Sequence, residues 1–165
     1  MFKLKMHLKK IILLVFFIGI KISVACDCPA FPPLTKELFD AKNLKQIVFK
    51  GMVMRNGECN TIASCVFEIQ ELYFGRSTKH LTAVYQCSGD CVMNFNPGEE
   101  WIIYGEYIQL EKIKISFCSR SRKIEKSNSD EVDAVGYGCT TAQEVSFLRD
   151  NLGIKKVHAE EVSRE

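Results

Sequence analysis

All eight cysteines of this chain lie beyond residue 25, at positions 26, 28, 59, 65, 87, 91, 118 and 139. An even count behind a leader predicts a disulfide framework and an oxidising compartment. The leader can be read directly. Lys3, Lys5, Lys9 and Lys10 form a basic start with no acid, 11–20 is an apolar run broken only by Gly19, and Ser23-Val24-Ala25 sets small residues at its first and third places. That order is the order of a secretory signal peptide, so a leader over 1–25 and a mature chain opening at Cys26 are expected. The competing reading is an uncleaved membrane anchor. A ten-residue run argues against it, because a membrane span needs about 20 apolar residues.

The leader also carries the chain's basicity. The full sequence has 22 basic and 20 acidic residues. Without the leader's five lysines, 17 basic residues face 20 acidic ones, a net charge of −3. No basic face remains to neutralise nucleic-acid phosphates. The remaining 140 residues suit one domain with a real core, so bridges supplement packing rather than replace it.

Periodicity supplies the elements. Pro29, Pro32 and Pro33 predict an extended, stiff opening stretch. A short helix is expected over 34–44, with Leu34, Leu38, Phe39 and Ala41 on one face and Thr35 as cap. Strands are expected over 46–54, 65–74, 80–86, 100–107 and 108–117. Gly51 marks a bulge or a close backbone approach. In the second strand Cys65, Phe67 and Ile69 alternate with Val66, Glu68 and Gln70. Asn56-Gly57 and Pro97-Gly98 are turn dipeptides. The polar stretch 119–131 reads as an exposed loop. A closing helix is expected over 140–152, with a Thr141/Glu144 capping box, an apolar face of Val145, Leu148 and Leu152, and Gly153 as its stop. The plan is helix, five or six antiparallel strands, loop and helix, which suggests a small closed barrel without free edges.

Cys26-Asp27-Cys28-Pro29 is more specific. A mature N-terminus that is itself cysteine, with a second cysteine two residues on, resembles the netrin-like domain, closest to the tissue inhibitor of metalloproteinases branch and its bacterial relatives. Ile47-Val48-Phe49-Lys50-Gly51-Met52-Val53 is similar to that family's first long strand. The segment 66–75 (VFEIQELYFG) is similar to its next strand, 91–105 (CVMNFNPGEEWIIYG) to its cysteine, glycine and aromatic-aliphatic strand, and Phe117-Cys118-Ser119-Arg120-Ser121 to its late cysteine. The resemblance spans residues 26–122. It implies a mostly β, OB-like five-stranded antiparallel barrel, disulfide-stapled and here with flanking helices. It also implies Cys26–Cys91 and Cys28–Cys118 bridges, each closing a loop worth about 4–5 kcal/mol. Cys59, Cys65, Cys87 and Cys139 stay unassigned by it. A Cys59–Cys65 bridge would staple an inter-strand loop, and Cys87 would then meet Cys139. The expected organisation is a leader (1–25), the barrel (26–122), a polar linker continuing the domain (123–139), a helix packed on the barrel (140–153) and a frayed tail (154–165). The family's inhibitors usually carry Thr or Ser where this chain has Asp27, and their second subdomain is not recognisable in 119–165.

The resemblance implies a contact edge of Cys26, Asp27, Cys28 and Pro29, and a zinc metalloprotease as partner. Cleavage after Ala25 would free the Cys26 α-amine, whose pKa of about 8 leaves a neutral fraction at neutral pH. That amine and the neighbouring carbonyl oxygen can chelate a catalytic zinc at its open coordination position. Asp27 would then be desolvated beside the zinc, at a cost of several kcal/mol unless partnered. That cost favours a plainer role in which Cys26 and Cys28 staple the strand. The alternative is lipidation of Cys26, the bacterial lipoprotein pattern, which would make the chain a membrane-anchored envelope domain. Ser23 stands where that pattern usually wants an aliphatic residue.

Other candidates are weaker. Cys87 and Cys91 have three residues between them rather than two, with no helix start after them, which favours disulfide use over redox or metal chemistry. His7, His80 and His158 are too few and scattered for a metal site or a nucleophile–base pair. No G-x-S-x-G, H-E-x-x-H or P-loop occurs. Trp101, Tyr104 and Tyr107 form either a platform or part of the core, and apolar neighbours favour the core for Trp101. The expectation is an exported binding protein, extracellular or periplasmic, and not an enzyme. It needs no cofactor or intrinsic metal, takes a protein partner, binds no nucleic acid, and meets a membrane only if Cys26 is lipidated.

Overall fold

The apolar stretches of this chain are too continuous for a sheet with one wet face, and the fold accounts for it. The computed structural model describes residues 28–39, 44–124 and 138–157. The leader, Cys26, Asp27, Ala41, most of the 123–139 linker and the end of the 154–165 tail lie outside the described residues. Six strands, β1 (Gln46–Asn56), β2 (Ile62–Phe74), β3 (His80–Gln86), β4 (Glu100–Gln109), β5 (Lys112–Lys114) and β6 (Arg122–Lys123), are followed by one α-helix, α1 (Thr141–Leu152).

The first five strands close into a barrel in the order β1-β2-β3-β5-β4, with β4 returning to β1 and β6 added to β4 outside the ring. The expected antiparallel barrel needs one correction. A ring of five strands cannot alternate direction all the way round, so one seam must be parallel. That seam is β3–β5, where Thr82, Ala83 and Val84 face Lys112, Ile113 and Lys114. The strand expected over 108–117 is short for a related reason: β4 runs on to Gln109, and β5 has only three residues in which to meet two neighbours.

Two cores form, one inside the barrel and one outside. The inner one includes Ile47, Phe49, Phe67, Leu81, Ile103 and Ile113. The outer one includes Val48, Tyr73, Phe74, Ile102 and Leu148. Neighbouring residues of one strand thus serve opposite cores, as Ile47 and Val48 do, and the runs IVF, LYF and WII are apolar because both faces of those strands are covered. Gly51 has the role its sequence position predicts: a Cβ there would lie 2.9 Å from the Phe49 ring and 3.0 Å from the Glu68 carbonyl oxygen, beside a register shift between β1 and β2. The loop before β4 folds Phe95 into the barrel, edge-on to Phe67 and Tyr85.

Among the described residues the expected flanking helices reduce to one α-helix. Within the described residues, 34–44 contains only a 3-10 turn at Lys36–Leu38, and Thr35 makes no side-chain capping bond to it. Phe39 then leaves the helical region at φ −108°, ψ 69° and packs its ring towards Phe74 and Tyr104. One anchored aromatic outweighs the extension of so short a helix, whose nucleus is costly. In α1 the capping box sits one residue earlier than expected, between Thr140 and Gln143. Glu144 cannot cap, because it is fully buried. Gly153 ends the helix at φ 70°.

Disulfides join Cys28 to Cys118, the pair the resemblance implies, and Cys59 to Cys87. Cys91 is also disulfide-bonded, while Cys26 lies outside the described residues. The expected Cys59–Cys65 and Cys87–Cys139 pairs do not form, since Cys65 and Cys139 are free. Pairing of Ile62 with Gln86 and a bond from the Cys87 amide to the Thr61 carbonyl, 3.1 Å, carry the β1–β2 loop to the end of β3, where Cys59 meets Cys87. Cys65 points inward with Phe67 and Ile69. In the chain-entropy model the 90- and 28-residue separations are worth about 4–5 and about 3–4 kcal/mol. These bridges place the chain in an oxidising environment. No helix of the described residues is long and apolar enough to cross a membrane.

Burial pushes the Cys65 thiol up to about 12, so almost no thiolate exists near neutral pH. Cys65 is therefore expected to resist N-ethylmaleimide at pH 8 in the folded protein and to react once guanidinium unfolds it. Peptide mapping checks this; modification at the denatured rate would contradict an inward-facing Cys65.

Glu99 contributes to the acid sensitivity of the fold. Partial burial raises its pKa, but bonds from the Asn96 side chain and amide, Lys123 and Trp101 outweigh burial and bring it to about 2. A depressed carboxylate contributes its stability fully above its unfolded pKa and loses it as pH falls through the folded one. Urea midpoints should drop between about pH 4.5 and about pH 2, and Glu99→Gln should flatten that slope. An unchanged slope in the variant would show that Glu99 does not carry the effect.

Candidate functional site

The extended segment that opens the described chain is held from three sides. Cys28 is bridged to Cys118. The Arg120 guanidinium lies over the Phe31 ring, 5.7 Å from its centroid, and its Nη1 donates to the Pro32 carbonyl at 3.1 Å. Pro29 and Ala30 remain exposed between these ties, and Cys28 is half-buried. Phe117, next to the bridge, keeps 42% of its surface in solvent. The arrangement presents a stiff backbone edge beside an aromatic ring.

Arg120 can hold this segment because it is itself fixed. Arg120 sits in a bend just before β6, and β6 pins the stretch to β4 through Trp101–Lys123 and Ile102–Arg122. Both guanidinium groups reach Glu144 on the first turn of α1. Arg120 Nε donates to Glu144 Oε1 at 2.9 Å, and Arg122 Nη2 forms an ion pair with Oε2. The Tyr104 hydroxyl donates to Oε1 at 2.6 Å. Arg122 also donates to the carbonyls of Cys139, 2.9 Å, and Thr140, 3.0 Å. Both arginines reach the Cys139 sulfur at 3.6 Å.

The electrostatics follow from burial. Loss of water works against the Arg120 charge, but Glu144 outweighs it and raises the guanidinium pKa. Burial, and then the Glu144 charge, hold the Tyr104 phenol far above its ordinary value, so it stays a donor. Next to this cluster, Arg149 of α1 grips Glu71 of β2 through Nε at 2.7 Å and Nη2 at 2.5 Å. The Arg149 hydrogen bonds hold the Glu71 carboxyl below its ordinary value.

Of the expected contact edge, Cys28 and Pro29 are described, and Cys26 and Asp27 lie outside. The reading of 119–131 as an exposed loop is corrected at its start, where Arg120, Ser121 and Arg122 are buried. Trp101, Tyr104 and Tyr107 form no common platform, because Trp101 and Tyr107 pack against the inner core and Tyr104 against the outer one. The Arg120–Glu144–Arg122 cluster escapes a reading of the sequence that treats charge as solvated. One signal was present: Glu144 stands four residues before Leu148 and beside Val145, on the apolar side of α1. Among the described residues, no group of three His, Cys, Asp or Glu could hold a metal ion. No family model matches the chain, and no curated protein matches it.

Removing one member of a buried ion cluster leaves charge uncompensated, which costs about 3–5 kcal/mol. Glu144→Gln should lose that much in urea unfolding and should expose the 28–33 segment to proteolysis. A loss within the range of an ordinary surface substitution would show that the cluster does not hold the helix and the N-terminal segment together.

Proposed function

We propose that this chain is a secreted, netrin-like module that binds a protein partner through its N-terminal edge. The observation that carries the proposal is the exposed Pro29-Ala30 stretch held between two ties, Cys28 to Cys118 by a disulfide and Phe31 and Pro32 to Arg120. A segment already held in its binding shape has little ordering entropy left to lose on association. The OB-like barrel, with a bridge from its N-terminal segment to a late cysteine, supports the netrin-like assignment.

In its most specific form the partner is a zinc metalloprotease, met by the α-amine and carbonyl of Cys26 after cleavage of the leader. The Cys28–Cys118 tie, two residues away, would limit the freedom of that terminus. Asp27 would face the pocket and has to find a donor there, because an unpaired buried carboxylate is costly.

The mass of the exported protein's N-terminal peptide is the first measurement. A free Cys26 amine is expected, whereas a diacyl mass would rule out chelation and make the chain a lipid-anchored envelope domain. With the amine free, the protein is expected to inhibit a zinc metalloprotease, and acetylation of that amine should abolish the inhibition. Inhibition that survives acetylation defeats the chelation mechanism, and absence of inhibition removes the protease as partner.

A further inference from the structure

A groove of about 390 Å³ opens where β1 begins, β2 ends and β4 runs out, away from the residues of the N-terminal edge. Leu44 and Leu110 wall it and are 77% and 70% exposed. The Phe74 ring, Gly75 and Tyr107 also line it.

The groove is built rather than incidental. The Tyr107 hydroxyl accepts from the Arg76 amide at 2.7 Å and donates to the Arg76 carbonyl. Gly75 has φ +88°, and a Cβ there would lie 2.7 Å from the Tyr107 oxygen and 2.9 Å from the Gln46 carbonyl. Both the backbone conformation and the space therefore require glycine. Lys155 is set by its amide, which donates to the Leu72 carbonyl at 2.7 Å, and its ammonium lies 4.9 Å from the Phe74 ring centroid.

Charge indicates what the groove takes. Elsewhere, Lys50, Lys79 and Lys123 around the barrel and Arg149 of α1 are each paired with a glutamate. Arg76 and Lys155, both exposed at the groove, have no carboxylate partner among the described residues. A peptide is a poor occupant. Its backbone N–H and C=O groups would need partners, and the strands here are already paired, with a Leu72–Lys155 bridge at the end of β2. No free edge is left for strand addition. An aliphatic chain has no polar groups along its length, and a single terminal carboxylate would satisfy both cations.

We propose that this groove binds a single-chain aliphatic carboxylate, a medium-chain fatty acid, with its tail against Leu44, Phe74 and Leu110 and its carboxylate at Arg76 and Lys155. The site is independent of the N-terminal edge and stands whether or not that edge binds a protease.

The test titrates the oxidised protein with sodium dodecanoate below its micelle concentration, by calorimetry and amide chemical shifts. Saturable one-to-one binding is expected, with shifts concentrated at Leu44, Gly75, Tyr107 and Leu110. Dodecanol should bind about tenfold or more weakly, for want of charge-assisted bonds. The exposed double variant Arg76→Gln/Lys155→Gln should lose affinity by about the same factor with its unfolding midpoint unchanged, and Leu110→Asp should abolish binding. Absence of saturable binding, or equal affinity in the double variant, would overturn the proposal. Binding to anionic phosphatidylglycerol vesicles without binding to monomeric dodecanoate would also overturn it, by making this face a membrane surface.

Discussion

One carboxylate organises the outside of this barrel. Glu144, with no exposed surface, stands between Arg120 and Arg122 and receives the Tyr104 hydroxyl as well. Burying these groups is unfavourable unless each finds its partners, and the second guanidinium leaves an excess positive charge. That excess is spread over the carbonyls of Pro32, Cys139 and Thr140 and over the Cys139 sulfur. An apolar substitute could match the cluster in stability but not in direction. Hydrogen-bonded charges accept one orientation, and here that orientation sets the rotation of α1, the path of the N-terminal segment and the position of β6 together.

The barrel supplies the surface on which this can happen. Five strands in a ring force one parallel seam, and β5 completes it with three residues. Once closed, the ring still has an apolar outer face on β1, β2 and β4, formed by residues such as Val48, Tyr73, Phe74 and Ile102. The helix covers that face through Leu148, and the grip of Arg149 on Glu71 holds it in register. The interior is sealed by aromatic edges, with Phe95 brought in by the loop before β4. The Cys59–Cys87 bridge then closes the loop that β2–β3 pairing has already brought into reach.

Both outward-facing regions owe their shape to a few directed bonds rather than to bulk packing. The N-terminal edge is held by a bridge, a ring contact and a guanidinium bond. The groove floor is held by one tyrosine that satisfies both backbone groups of Arg76. In each case the backbone is tied down while neighbouring side chains such as Pro29, Leu44 and Leu110 stay exposed. Low ordering cost combined with unspent chemistry is what a binding surface requires.

The sequence alone determined the four long strands, the Pro97-Gly98 turn and the use of cysteines for disulfides, including Cys28 with Cys118 by resemblance. Alternation around Cys65 already placed it with Phe67 and Ile69, on the face that proves to line the barrel, and Gly51 and Gly153 behave as their positions imply. These features are legible because backbone sterics and side-chain period act over a few residues. Tertiary structure alone decided which loops meet, hence that Cys59 takes Cys87 and leaves Cys65 and Cys139 as thiols, and that 34–39 yields a turn and an anchored Phe39. It also decided that two arginines in a polar stretch are buried. A charge reads as solvated until its counter-charge is known, and the counter-charge of Arg120 and Arg122 lies on a helix more than twenty residues further along the chain. Local periodicity carries no information about partners at that distance; only closure of the barrel and docking of α1 bring them together.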